Sequence, residues 1–84
     1  MTLKYLHEFL AEFEKLDKSV RRQLFRKLDE MQRTPMEGFS HQALKGTQFK
    51  GLFKLRVGDW RLVYRITGGE LLFVTLGHRS EVYE

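Results

Sequence analysis

The stretch Leu52-Phe53-Lys54-Leu55-Arg56-Val57-Gly58-Asp59-Trp60-Arg61-Leu62-Val63-Tyr64-Arg65-Ile66 decides how this chain folds. Two runs alternate with a period of two and meet at Gly58-Asp59. Such alternation marks a half-buried strand, and Gly at the first position of a two-residue loop suits a type II′ or I′ turn. The stretch reads as a β-hairpin with Val57 facing Trp60, Arg56 facing Arg61, Leu55 facing Leu62, Lys54 facing Val63 and Phe53 facing Tyr64. One face then carries Phe53, Leu55, Val57, Trp60, Leu62, Tyr64 and Ile66, all apolar or aromatic. The other carries Lys54, Arg56, Arg61 and Arg65, with Val63 among them. A slip of one residue would bury the cations, so the pattern specifies the register.

The cationic face has two readings. Like charges directly opposite on a sheet repel, and Arg56 opposite Arg61 is such a pair. Long side chains bending into solvent would relieve it. Alternatively the face is a site for an anion, with phosphate the leading candidate, because Arg offers a planar fork of donors.

Around this hairpin the 84-residue chain has room for one domain with a modest core. At 42% hydrophobic and 13% aromatic residues it does not belong to the disordered class. It has no cysteine, so disulfides, thiolate chemistry and sulfur-ligated metals are unavailable, which fits a cytoplasmic protein. No apolar run approaches a membrane span, and Met1-Thr2-Leu3-Lys4 does not begin a signal peptide. The net charge is +4 and unevenly placed. Lys45, Lys50, Lys54, Arg56 and Arg61 face one anion, Asp59, whereas Glu8, Glu12, Glu14 and Asp17 face one cation, Lys15, over residues 8–17. A basic half on a small domain suggests a polyanionic partner, nucleic acid or an acidic protein segment.

Leu3 and Tyr5 alternate with Thr2 and Lys4, predicting a short strand to about Leu6, with an all-helical start as the alternative. Phe9, Leu10, Phe13 and Leu16 fall at helical spacing and predict a helix from about Glu8 to Leu16. Asp17, with Ser19 as competitor, is the expected N-cap of a second helix, making a helical hairpin. Its apolar stripe is Val20, Leu24, Leu28 and Met31, widened by Phe25. Thr34-Pro35 ends it, because a residue before Pro avoids the helical region. Residues 35–51 form a connector longer than most loops, pinned by Phe39, Leu44 and Phe49. Gly68-Gly69 is a second tight turn, Glu70 to Leu76 a third strand, and Gly77-His78-Arg79-Ser80 breaks it. The class is therefore α+β.

Leu44-Lys45-Gly46, then Phe53 through Tyr64, then Gly77-His78-Arg79-Ser80-Glu81-Val82-Tyr83, resembles the RelE/ParE superfamily of toxin–antitoxin toxins. Phe13-Glu14-Lys15-Leu16-Asp17 and the helical hairpin match its N-terminal half, so the resemblance spans nearly the whole chain. It implies a short strand, two antiparallel helices and a twisted antiparallel β-meander with a basic concave face. The RelE branch consists of metal-free endoribonucleases that cut messenger RNA in the ribosomal A site. The ParE branch shares the fold, lacks the cleavage residues and poisons DNA gyrase. Both are neutralised by a cognate antitoxin. No cofactor, metal or membrane is implied.

Residue by residue, Lys54 and Arg61 match basic positions that RelE-type enzymes use at the scissile phosphate. Arg79 and Tyr83 resemble the basic residue and terminal tyrosine of the RelE C-terminal segment. Lys45 and Arg56 resemble positions on the RNA backbone, and Lys50 and Arg65 extend that basic surface. Leu52 departs from the pattern, since some RelE enzymes carry a second lysine there. That keeps open a third reading, a catalytically weak domain that mainly binds its antitoxin. Metal-free cleavage needs a base for the 2′-hydroxyl, cations for the phosphorane and an acid for the leaving 5′-oxygen. Lys54 is the candidate base if crowding by Arg56, Arg61 and Arg65 favours the neutral amine. A solvated, inert lysine is the alternative. Arg61 is the candidate phosphate clamp, or else a structural partner of Glu81 or the C-terminal carboxylate. Tyr83 could stack on a base or move a proton, and His78, beside Arg79, could serve as the acid. His41 and His7 receive no role.

Overall fold

The computed structural model describes residues 1–79. In it the hairpin becomes β3 (Phe53–Val57) and β4 (Trp60–Thr67), paired antiparallel in the register that alternation predicts, from Phe53 opposite Tyr64 to Val57 opposite Trp60. Gly58 has φ +61° and Asp59 does not have a positive φ, which is the type II′ pattern. β5 (Glu70–His78) follows the Gly68-Gly69 turn and pairs antiparallel with β4. It runs two residues past the expected end at Leu76, because Gly77 and His78 keep partners in Arg61 and Trp60.

A bulge interrupts that pairing. Val63 opposes Thr75 and Tyr64 opposes Phe73, so Val74 is the extra residue. The shift lets Phe73 and Leu76, three residues apart, both reach the core. β1 (Leu3–Tyr5) lies parallel to β5, with Leu3 opposite Leu71 and Tyr5 opposite Phe73. β2 (Gln42–Ala43) pairs with the outer side of β3, giving the sheet order β1-β5-β4-β3-β2.

Two helices cover one face of this sheet. α1 (His7–Glu14) packs on β5, and α2 (Lys18–Gln32) lies against β3. Asp17 takes the N-cap position of α2 through its backbone, but its carboxylate makes no capping hydrogen bond. At the other end the Met1 ammonium donates to the carbonyls of Gln32 and Thr34, each at 2.8 Å, where a helix leaves carbonyls unpaired. Between sheet and helices, Phe9, Leu24, Met31, Leu62, Tyr64, Leu71 and Phe73 are almost fully buried. Phe9 and Tyr64 both meet Phe73 at a tilt, with ring centroids 5.5 and 5.2 Å away. Gly58 also sits close to α2, since a Cβ there would lie 2.9 Å from Nε2 of Gln23.

Three expectations change. Phe25 does not widen the buried stripe of α2; it is 64% exposed. One residue past Leu24 turns it about 100° around the helix, away from the sheet and toward α1. Ile66 is 38% exposed, because β3 begins only opposite Tyr64 and gives Ile66 no neighbour on that side. Arg61, expected at the surface, is only 4% exposed. The connector is less irregular than its length suggests. It contains β2 and two 3-10 turns, Met36–Gly38 and Thr47–Phe49. Leu44 is buried and Phe39 packs against the core, as expected of pins, while Phe49 is half-buried.

Candidate functional site

Alternation on β3 and β4 sends Lys54, Arg56, Arg61, Val63 and Arg65 to the sheet face that the helices leave open. Arg56 stands directly opposite Arg61, and Lys54, opposite Val63, is the diagonal neighbour of Arg61. Arg56 and Arg65 are exposed and Lys54 is half-buried. Val63 is buried on this same face, at 3% exposure. The cation row is therefore packed against the sheet at its middle and solvated at its ends.

Arg61 is held rather than mobile. Its Nη1 donates to the carbonyls of Gly58 at 3.2 Å and Trp60 at 3.1 Å. Arg79 is tied to the same turn from outside. Its backbone N–H donates to the Asp59 carbonyl at 2.7 Å, and its Nε lies 3.8 Å from the Asp59 carboxylate. The Gly58-Asp59 turn thus anchors two sequence-predicted site residues. Both partners of the Arg79–Asp59 pair are well exposed, so the pair orients more than it stabilises.

β2 brings Lys45 to this region. Gln42 pairs with Lys54, and Gln42, Ala43, Lys45 and Lys54 line one open groove. A second groove continues along β3 past Phe39, Ser40 and Arg56 to Lys27 of α2. Lys50 is exposed but lines neither groove. His78 is set apart from the cations. It pairs with Trp60, and the two rings meet edge-on at 5.5 Å, on the helix-facing side of the sheet. Tyr83 lies outside the described residues.

The sequence reading passed over His41. Its Nδ1 lies 2.7 Å from the hydroxyl of Tyr64, and its ring sits among Phe39, Phe53 and Tyr64. Burial pushes the Tyr64 phenol up to about 12, so it stays a neutral donor. The connector has no period, and nothing local in the sequence joins residue 41 to residue 64.

The helices present a different surface. Tyr5, Phe9, Leu10, Phe13, Phe25 and Leu28 line an apolar groove between α1 and α2. Leu10 is 44% exposed and nearby Leu6 41%, far more open than the core beneath. Lys18, Arg21 and Arg22 border it beside Phe25. No helix among the described residues is long and apolar enough to cross a membrane.

Comparison with known proteins places these features. The profile of the family described as "ParE toxin of type II toxin-antitoxin system, parDE" matches residues 3–83. The isolated E. coli RelE toxin superposes with a TM-score of 0.70 at 26% identity, covering 92% of this chain and 82% of that one. A variant of E. coli RelE bound to an antitoxin RelBc peptide gives 0.64 at 29% identity, covering 92% and 81%. The Mycobacterium tuberculosis RelBE2 toxin–antitoxin complex gives 0.74 at 21% identity, covering 93% and 96%, a likeness of fold alone. No curated protein matches the sequence.

Proposed function

This chain belongs to the RelE/ParE family of type II toxin–antitoxin toxins, and from that premise we propose that it is a metal-independent endoribonuclease of the RelE type, cutting messenger RNA in the ribosomal A site. The observation that carries the reading is the cation row itself, with Lys54 and Arg61 as diagonal neighbours and Arg56 opposite Arg61. Such a row repels itself, and an anion lying over it relieves the repulsion. In this reading the Arg61 guanidinium, already oriented by the Gly58 and Trp60 carbonyls, holds the scissile phosphate. A donor fixed beforehand stabilises the developing phosphorane charge without reorganising. Lys54 takes the proton of the 2′-hydroxyl. Arg56, Arg65 and Lys45 track the flanking backbone, and Lys50 is left to outer contacts. Arg79 and Tyr83, on the C-terminal segment, serve the leaving group and the stacked base. His78, on the other side of the sheet, is given no step.

The partner follows from the second surface. We assign the apolar groove between α1 and α2 to the cognate antitoxin, with Phe25, Leu10 and Phe13 receiving its apolar side chains. The cations Lys18, Arg21 and Arg22 would meet acidic residues at the rim and govern on-rate and salt dependence more than affinity.

The family description, which names ParE, favours a second reading, a gyrase inhibitor acting by binding. Induced expression with mapping of transcript 5′ ends separates the two. Codon-spaced cuts within translated regions are expected. DNA damage with intact transcripts would replace the nuclease reading by the gyrase one, and unimpaired growth would leave an antitoxin-binding domain with little activity.

A further inference from the structure

We propose that His41 is a positioning residue, a latch to Tyr64 that holds β2 and thereby sets Lys45 beside Lys54. The geometry stands independently of the nuclease reading, and only its consequence for RNA rests on that reading. Tyr64 is fully buried on β4, in the middle of the strand that carries the cation row. Among the described residues its hydroxyl has a single hydrogen-bond partner, His41 Nδ1 at 2.7 Å. The opposite ring atom, Nε2, is buried and has no partner among the described residues.

The arrangement fixes the direction of the bond. If Tyr64 donates to Nδ1, one buried donor, Nε2–H, is left unsatisfied. If Nδ1–H donates to Tyr64 instead, the Tyr64 O–H and the Nε2 lone pair are both unsatisfied. Unmade buried hydrogen bonds are costly, so the first arrangement prevails. A chain that tolerates one orphaned donor here is held by what the ring contacts. Those contacts are aromatic, with Phe39 at 5.1 Å, Tyr64 at 5.8 Å and Phe53 at 5.9 Å between centroids.

Apart from the pins Phe39 and Leu44, the segment that the latch holds has few ties. β2 is two residues long, and both are exposed. Beyond its pairing with Phe53 and Lys54, one backbone bond follows, Leu44 N–H to the Leu52 carbonyl at 2.9 Å. Short exposed strands of this kind open locally at little cost. His41 immediately precedes Gln42 and, between the pins Phe39 and Leu44, makes the hydrogen bond that ties the segment to β4. Release of the ring would free Gln42, Ala43 and Lys45 from the groove that they form with Lys54.

The test is a double-mutant cycle on the whole chain with two readouts. Tyr64→Phe removes one oxygen and keeps the buried ring. It is expected to speed amide exchange of Leu44 about fivefold to tenfold relative to Leu62, the range that one net hydrogen bond supplies. It is also expected to weaken binding of a short single-stranded RNA about as much as Lys45→Ala does. Because both changes remove the same contribution, their combination adds little to either alone. His41→Asn keeps an acceptor on Cγ, where Nδ1 stands, though it loses the ring contacts, and is expected to fall closer to the parent than His41→Leu, which behaves as Tyr64→Phe. Unchanged exchange in Tyr64→Phe would overturn the latch. Faster exchange with RNA affinity unchanged, or with additive losses, would overturn its positioning role. A parent chain that binds neither the short RNA nor a programmed ribosome, yet shows the exchange pattern, would sink the nuclease reading and support the latch.

Discussion

The two working surfaces of this molecule are built by opposite means. The sheet face displays charge that the hairpin register lines up, and it is stiff, since Arg61 is buried and bonded to the turn below it. The helical face displays apolar side chains that the core leaves over, with Phe25 and Leu10 standing free beside buried Leu24 and Phe9. The difference is chemical as well as geometric. A row of fixed cations suits a polyanion whose charge is spaced along a backbone, whereas an open apolar groove suits a partner that brings its own hydrophobic stripe. On the proposed reading, RNA and an antitoxin would therefore meet one small core without the two chemistries competing for the same residues.

That separation is open to attack from the shared core outward. Phe73 contacts Tyr64, Phe9 and Tyr5 and underlies both surfaces. Phe73→Ala is expected to cost about 3–5 kcal/mol in denaturant unfolding and to abolish toxicity and antitoxin binding together. Phe25→Asp comes next. It is expected to weaken antitoxin binding by about 2 kcal/mol or more, read by titration calorimetry, while folding stability moves by less than about 0.5 kcal/mol. A large loss of stability instead would make Phe25 part of the core and remove the contrast between the faces.

On the sheet face, Arg61→Ala and Arg65→Ala divide the row. The sequence alone suggests that Arg61 is a cheap surface change relieving repulsion with Arg56. Its burial and its bonds to two carbonyls reverse that expectation. Arg61→Ala is expected to cost about 1–3 kcal/mol, because a buried side chain is lost and the part-buried Gly58 and Trp60 carbonyls lose their donor. It is also expected to end cleavage per folded molecule. Arg65→Ala, at an exposed position, is expected to stay within about 0.5 kcal/mol. Equal stabilities for the two variants would show that the row is uniformly solvated.

The last effect is confined to alkali. The phenol of Tyr64 ionises at 10.0 when exposed and at about 12 in the fold, raised by burial. Above pH 10 the unfolded chain releases this proton while the folded one keeps it, so stability is full below that pH and falls as pH rises toward 12. Tyr64→Phe lacks this group, and its unfolding curve is expected to be flatter over that window. Identical slopes for parent and variant would show that Tyr64 does not contribute.

Much of this was legible in the chain itself. The β3–β4 register, the Gly58 turn and the two helices are specified by neighbours within a few residues, through alternation, turn geometry and helical spacing. Those signals survive without tertiary context. The face on which Lys54, Arg56, Arg61 and Arg65 stand follows from them. Three features were not legible. Phe25 counts as core by hydrophobicity and spacing, and only the placement of α1 beside α2 shows that nothing covers it. Arg61 has the same local pattern as Arg65, and only its environment buries one and not the other. His41 lies in a segment without a period, twenty-three residues from Tyr64.

The sequence by itself determined the α+β class, the hairpin and the side of the sheet that bears the charge, because these rest on local steric and periodic preferences. The tertiary structure decided that β1 joins β5 in parallel, that the bulge at Val74 turns both Phe73 and Leu76 inward, and that His41 meets Tyr64. Each of these joins residues distant along the chain, and such contacts are selected by how buried surfaces fit together, a quantity no local window contains.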